Sequence, residues 1–297
     1  MTRILTLASV LLLSPPALSQ APAANTGKAL VATYSAWRTA MIRKDVPAWQ
    51  RTTAPHRQAE IRNRLVSEKR PYPSGVFDLP APPPALDGLR MIHLSQRGAT
   101  AKAAFFGKIN FGVGGEPTEN ILVLSFVSSG TWRYDRADFV NLAALPEVRK
   151  ELRAGDLNYV AETPDFQADG VVPPTPPAVP AAQYIAKVYV FCPGREVQVQ
   201  VNQFSRHRFA NAKEAEVVLG GAKDGANSIT YTVKSLEGGT GKEALAIRVY
   251  LMSEIEGTQP VKAFEYRVDE GGALKPFGTG SFTVDPATAA KLVPKKR

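Results

Sequence analysis

The sequence predicts an α+β first half followed by an all-β second half, and three observations carry that division. Apolar residues recur at helical spacing before residue 70, with Leu30, Tyr34, Trp37 and Met41 forming one stripe. Alternation of apolar and polar residues begins at Leu89, and beyond Tyr184 it is the only periodicity left. Between the halves lies Val171-Val172-Pro173-Pro174-Thr175-Pro176-Pro177-Ala178-Val179-Pro180, whose prolines fix φ and remove amide donors. This stretch reads as an extended polyproline spacer.

The first helix starts near Thr26 and turns its stripe to a core. Asp45 is placed to cap a second, short helix with Pro47 in its first turn and Trp49 facing inward. A third helix runs from Pro55 to about Lys69 with Ile61 and Leu65 on its apolar side. The stretch from Pro71 to Pro84 cannot be helical and should wrap the surface. Strand signals follow at Leu89 to Ser95, Ala99 to Lys108, Ile121 to Ser128 and Thr131 to Asp135, with turns at Gly98, the Gly112–Gly115 cluster and Gly130. The result is an antiparallel meander packed on the helices. A last helix is expected from Pro146 to Arg153, and the weak periodicity of residues 158–182 marks a Pro-rich linker.

Seven strands are expected after the linker: Tyr184 to Phe191, Glu196 to Val201, Ala215 to Leu219, Ser228 to Lys234, Ala244 to Leu251, Ala263 to Val268 and Ser281 to Val284. Glycines separate them, a spacing that predicts a β-sandwich. The domains are therefore residues 25–157, the linker 158–182, a sandwich at 183–286 and a basic tail at 287–297.

The helix bearing Tyr34 and Trp37, the Lys44-Asp45 turn, the long strands and the hairpin Phe126-Val127-Ser128-Ser129-Gly130-Thr131-Trp132-Arg133-Tyr134-Asp135 resemble the NTF2-like, or SnoaL-like, α+β cone over residues 27–143. The resemblance implies a curved sheet wrapped around helices with a hollow between them. It also implies a range of roles, from isomerases, dehydratases and hydrolases to small-ligand binding and dimerisation through the sheet. The run Val201-Asn202-Gln203-Phe204, followed by Gly225-Ala226-Asn227, is similar to a pattern of galactose-binding-like and Ig-like accessory sandwiches.

Residues 1–19 read as an export signal, with Arg3 as the positive end, Ile4 to Leu13 as a short apolar run and Ala17-Leu18-Ser19 as the cleavage site. The expected location is periplasmic or extracellular, with no membrane anchor in the mature chain. Cys192 is the only cysteine, so each core must hold without an internal disulfide. The formal charge is +9, and residues 25–160 carry 19 Lys or Arg against 12 Asp or Glu. Arg57, Arg62, Arg64, Lys69 and Arg70 crowd the third helix. A solvated helix face explains them, and contact with an anionic envelope polymer is the functional alternative. Nucleic acid is an unsuitable partner for an exported chain that lacks a recognised binding motif.

No His-x-x-x-His or Cys-x-x-Cys pairing suggests a metal, and no cofactor is expected. No Gly-x-Ser-x-Gly elbow is present, and Gly238-Gly239-Thr240-Gly241-Lys242-Glu243 ends in Glu where a phosphate loop needs Ser or Thr. His93 is the candidate acid/base residue if it faces the hollow, and a structural histidine is the alternative. Tyr34, Trp37, Trp49 and Trp132 are the candidate ligand-binding residues, although the same aromatics can fill a core. In the second half, Tyr189, Tyr231, Tyr250 and Tyr266 are candidates for stacking on sugars, and Arg206-His207-Arg208 reads as a basic loop tip. Together these features favour an exported, non-enzymatic binding protein of the cell envelope, taking a small apolar ligand or an envelope component. A hydrolase or isomerase acting in the hollow and a basic scaffolding factor are the alternatives.

Overall fold

The computed structural model describes residues 21–110 and 116–294. The expected export signal, the turn expected at Gly112–Gly115 and the last three basic residues lie outside them. Helices α1 (Ala21–Arg43), α2 (Val46–Thr52) and α3 (Pro55–Ser67) precede strands β1 (Arg90–Arg97), β2 (Thr100–Ile109), β3 (Thr118–Ser128) and β4 (Trp132–Val140). The strands pair in chain order as one antiparallel sheet. Asp45 caps α2 by accepting the Ala48 N–H at 3.0 Å, satisfying a donor the helix end would otherwise strand. The stripe of α1 is buried as its spacing predicts, against Ala103, Phe105, Leu122, Leu124 and Phe126 of the sheet.

Strands β2 and β3 are buried on both faces. The second face presents Ala104, Phe106, Ile121 and Val123 to Leu142, Leu152, Val160 and Phe166. These come from α4 (Pro146–Ala154), α5 (Asn158–Glu162) and a 3₁₀ turn at Pro164–Phe166 with the loop before them. Residues 158–166, expected in the linker, are thus part of the first folded layer. Over β2 and β3 this second face is covered by the chain's own helices.

The second half forms two four-stranded antiparallel sheets around one core. One contains β5 (Ala186–Phe191), β8 (Lys213–Val217), β10 (Leu245–Leu251) and β11 (Val261–Val268), in the order β11-β10-β5-β8. The other contains β6 (Arg195–Val201), β7 (Ser205–Ala210), β9 (Gly225–Ser235) and β12 (Phe277–Val284), in the order β12-β9-β6-β7. The basic loop tip expected at Arg206-His207-Arg208 is instead the middle of β7, with Ser205, His207 and Phe209 inward and both arginines outward. Its pairing with β6 supplies the backbone partners that fix it as a strand. The expected tail also folds in part, because α6 (Pro286–Leu292) is capped by Asp285 and buries Leu292. The whole is α+β with β predominating.

The polyproline segment is not a free spacer. Asn63, fully buried on α3, donates from Nδ2 to the Pro177 carbonyl at 2.9 Å and accepts the Val179 N–H at 3.1 Å. Ala182 N–H donates to the Val66 carbonyl, and the Gly220 N–H donates to Ser67 Oγ at 2.8 Å. Gly221 lies so close to this junction, at φ +64°, that a Cβ would sit 2.4 Å from Ala182. Helix α3 therefore carries both the linker and the second half on one side. Among the described residues no helix is long and apolar enough to cross a membrane.

Candidate functional site

A cavity of about 360 Å³ lies on the opposite side of α3, between α1, α2, the 3₁₀ turn at Ser74–Phe77 and β4. Its walls are built by local rules. Trp37 and Met41 come from one stripe of α1, Trp49 from α2, and Arg57, Ile61, Arg64 and Leu65 from one face of α3 at successive helical turns. The α2–α3 corner is pinned to β4, since Ala54 N–H donates to the Tyr134 carbonyl at 2.8 Å and His56 Nε2 meets Asp135 Oδ1 at 2.8 Å. That pin brings Tyr134 and Asp135 into the wall.

The Trp37 and Tyr134 rings lie 3.9 Å apart between centroids, with Tyr34 beyond them at 5.5 Å from Trp37. Burial, reinforced by Tyr34, holds the Tyr134 phenol well above its ordinary pKa, so the wall is neutral there. Two polar atoms in this wall have no hydrogen-bond partner: Trp37 Nε1 and Thr53 Oγ1, both buried. Leaving such a group unpaired costs about 1–3 kcal/mol, so two in one wall call for an explanation. At the rim, Arg57 pairs with Glu60 at 3.0 Å, Arg64 with Glu68 at 3.2 Å, and Arg70 with Glu68 at 3.4 Å and Asp78 at 3.5 Å. The site offers an apolar aromatic interior, two unpartnered polar atoms buried behind its wall and a rim of mixed charge.

The structure brings together only part of what the sequence suggested. Trp37 and Trp49 line the cavity. Tyr34 does not, because its hydroxyl donates to the Pro84 carbonyl at 2.8 Å; burial pushes its pKa up to about 12, and Arg38 opposes this only in part. Trp132 packs at the core edge without reaching the cavity. His93 lies elsewhere. A β-bulge between Met91 and His93 sets His93 opposite Ala104, on the second face, where it meets Gln167 at 3.3 Å.

The basic cluster also divides: Arg57, Arg64 and Arg70 reach the cavity, whereas Arg62 donates to the Val179 carbonyl and Lys69 to Gln183 and Glu254 across the junction. Sequence reasoning missed Thr53 and Tyr134. Asp135 joins them in the wall, and the helix start at Pro55, which sets the α2–α3 corner against β4, was the nearest local signal.

Other chemistry-bearing groups resolve into structure. Ser205 Oγ, His207 Nε2 and Nδ1, and Glu216 Oε2 form a chain with two 2.5 Å links, an order seen in nucleophilic relays. Ser205 is fully buried and its oxygen accepts the Leu219 N–H, so the chain staples β7 to β8. The Gly238–Glu243 loop closes on itself, with Thr240 N–H and Oγ1 donating to the Glu243 carboxylate. Its glycine serves packing, since a Cβ on Gly239 would sit 2.3 Å from the Gly194 carbonyl. Burial raises the Cys192 thiol pKa, as an inert core thiol requires. Tyr231 stacks on Tyr266 at 4.6 Å within the sandwich and is unavailable to a sugar, while Tyr189 lies under Arg248.

Among the described residues no group of three or more His, Cys, Asp or Glu side chains could hold a metal ion. Comparison with protein-family models, with curated proteins and with solved structures finds no match to this chain, so its site is read from its own geometry.

Proposed function

We propose that the protein is an exported, non-enzymatic binding protein of the cell envelope whose first half, an NTF2-like cone, holds a small apolar ligand in the cavity beside α3. The observation that carries this reading is the pair of unpartnered polar atoms, Trp37 Nε1 and Thr53 Oγ1, buried behind a wall that Met41, Trp49, Ile61, Leu65 and Tyr134 make apolar and that Arg57, Arg64, Arg70, Asp78 and Asp135 edge with charge. The volume, about 360 Å³, falls at the lower end of the ~300–1,000 Å³ typical of ligand sites. An apolar body with one acceptor end suits the apolar wall, and small shifts of Trp37 and Thr53 on binding would turn their buried, unpartnered atoms to that end. The export signal supports the location. The catalytic alternative loses His93 from the hollow, and the scaffolding alternative loses the continuous basic face of α3.

Thr53→Val tests the reading, because it changes a hydroxyl to a methyl group at a position with extended backbone, φ −101° and ψ 140°. Removing an unpaired buried hydroxyl should stabilise the free protein by about 1 kcal/mol. The same change should weaken decanoate, an apolar chain with a terminal acceptor, by roughly fivefold to tenfold in calorimetric titration. Stability and affinity moving in opposite directions is the signature of a residue kept for binding. Equal decanoate affinity in both proteins would remove Thr53 from the site.

A further inference from the structure

The outer face of the sheet β12-β9-β6-β7 carries a pattern that sandwich packing does not require. Its register sets Arg208, Gln198, Thr232 and Phe277 in one row across four strands, and Arg206, Gln200, Thr230 and Thr279 in the next. Their chain neighbours Val199, Phe209, Tyr231 and Val233 are buried, so strand alternation turns both rows outward. Arg206, Arg208, Gln198, Gln200, Thr230 and Thr232 border a trough of about 430 Å³, with Phe277 and Thr279 on the next strand beyond it. Glu196 is the only carboxylate on these four strands, against the outward-facing Arg206, Arg208 and Lys234.

Glu196 is already engaged. Its Oε2 accepts from Arg208 Nε at 2.9 Å and Nη2 at 2.6 Å, which fixes that guanidinium in place. Arg206 makes no ion pair among the described residues. Gln198 and Gln200 direct their NH₂ groups to Glu196 Oε1 and to the Asn202 carbonyl, leaving their amide oxygens to accept. Thr230, Thr232 and Thr279 add hydroxyls, and at the far edge Phe277 is 70% exposed.

We infer that this face binds an acidic polysaccharide, a chain of uronic-acid units laid across the strands. The unpaired Arg206 takes a sugar carboxylate, the Gln oxygens and Thr hydroxyls take ring hydroxyls, and Phe277 stacks on the apolar face of a sugar ring. Four strands span about 14 Å at ~4.8 Å spacing, which suits a polymer better than a single small anion. A protein partner fits poorly, because a protein interface centres on an apolar patch and this face has one aromatic at its edge. The site is independent of the cavity in the first half.

The test is binding of the whole chain to polygalacturonate, to its methyl-esterified form and to double-stranded DNA, measured by affinity electrophoresis at fixed ionic strength. Polygalacturonate should bind, and esterification should weaken it about tenfold by removing the carboxylates. Arg206→Gln should cost a similar factor and Phe277→Ser several-fold. Both positions are exposed, so unchanged unfolding midpoints will show that the variants fold. Arg64→Gln should leave polymer binding unaltered. DNA binding as tightly as polygalacturonate would reduce the effect to undirected charge and overturn the proposal, as would wild-type affinity in Arg206→Gln or Phe277→Ser.

Discussion

Arg195→Met should destabilise the second half by about 4 kcal/mol, the larger of two stability effects expected from single substitutions outside the cavity. Arg195 is completely buried, and its guanidinium donates to the carbonyls of Glu243 and Gly241 and lies 3.6 Å from the Glu243 carboxylate. Methionine matches the stem but takes the donors from both carbonyls and the counter-charge from the Glu243 carboxylate. Urea unfolding of the two proteins measures the difference, and an unchanged midpoint would show that the loop satisfies itself without the arginine.

The same loop supplies a pH signature. The N–H of Glu243 itself, then that of Thr240, hold the Glu243 carboxylate below its ordinary pKa, at about 2. A folded pKa below the unfolded one contributes stability that is complete above the ordinary glutamate range. That contribution is lost as the pH falls from there toward 2. Glu265, bound by Lys262 and then Arg248, is held at about 2 as well and adds to the same slope. Glu243→Gln should therefore lower stability at neutral pH and flatten part of the acid-side loss.

Asn63→Ala should release the polyproline segment from α3 at a cost of about 3 kcal/mol. One amide side chain there serves the Pro177 carbonyl, the Val179 N–H and Arg62 Nη1, and Val179 is itself buried. Without it the Val179 N–H and Pro177 carbonyl lose their partner in a buried setting. Hydrogen exchange at Val179 should accelerate and protease cleavage should appear between Pro173 and Ala182, while amides of β2 and β3 keep their protection. Unaltered exchange at Val179 would mean that the linker is held by the two halves and not by Asn63.

The contrast between a spacer expected from sequence and a clamped strap in the structure has a physical source. Proline content determines stiffness, but the partner of an extended segment is decided by a distant residue. Nothing near residue 177 points to Asn63. Similarly, Val160 and Phe166 fill the second face of the sheet from a stretch with only two anchors, too few to show a period. Strand β7 was hidden because two of its three inward residues, Ser205 and His207, are polar and bury through their hydrogen bonds.

By contrast, the stripe of α1, the Asp45 cap, the meander and most sandwich strands were legible, because each follows a local rule of spacing, capping or alternation.

Half of the cavity was legible for the same reason. Trp37 and Trp49 sit on helices whose inward faces follow from spacing. Tyr134 and His93 sit on strands interrupted by bulges, with Asp135 the extra residue beside the first and Ile92 the extra residue before the second. One extra residue moves every following side chain to the other face, and alternation counted along the sequence cannot detect it.

The central claim is that the space between α1, α2, α3 and β4 is a ligand site and not a packing defect. Trp37 and Trp49 report on it directly, and Trp132→Phe leaves them as the only tryptophans in the chain. Titrating that variant with decanoate should produce a saturable, one-to-one change in tryptophan emission, and adding Ile61→Phe, which puts a larger ring into the cavity wall, should shift its midpoint while the protein stays folded. No saturable change, or the same midpoint with Ile61→Phe in place, would contradict the account.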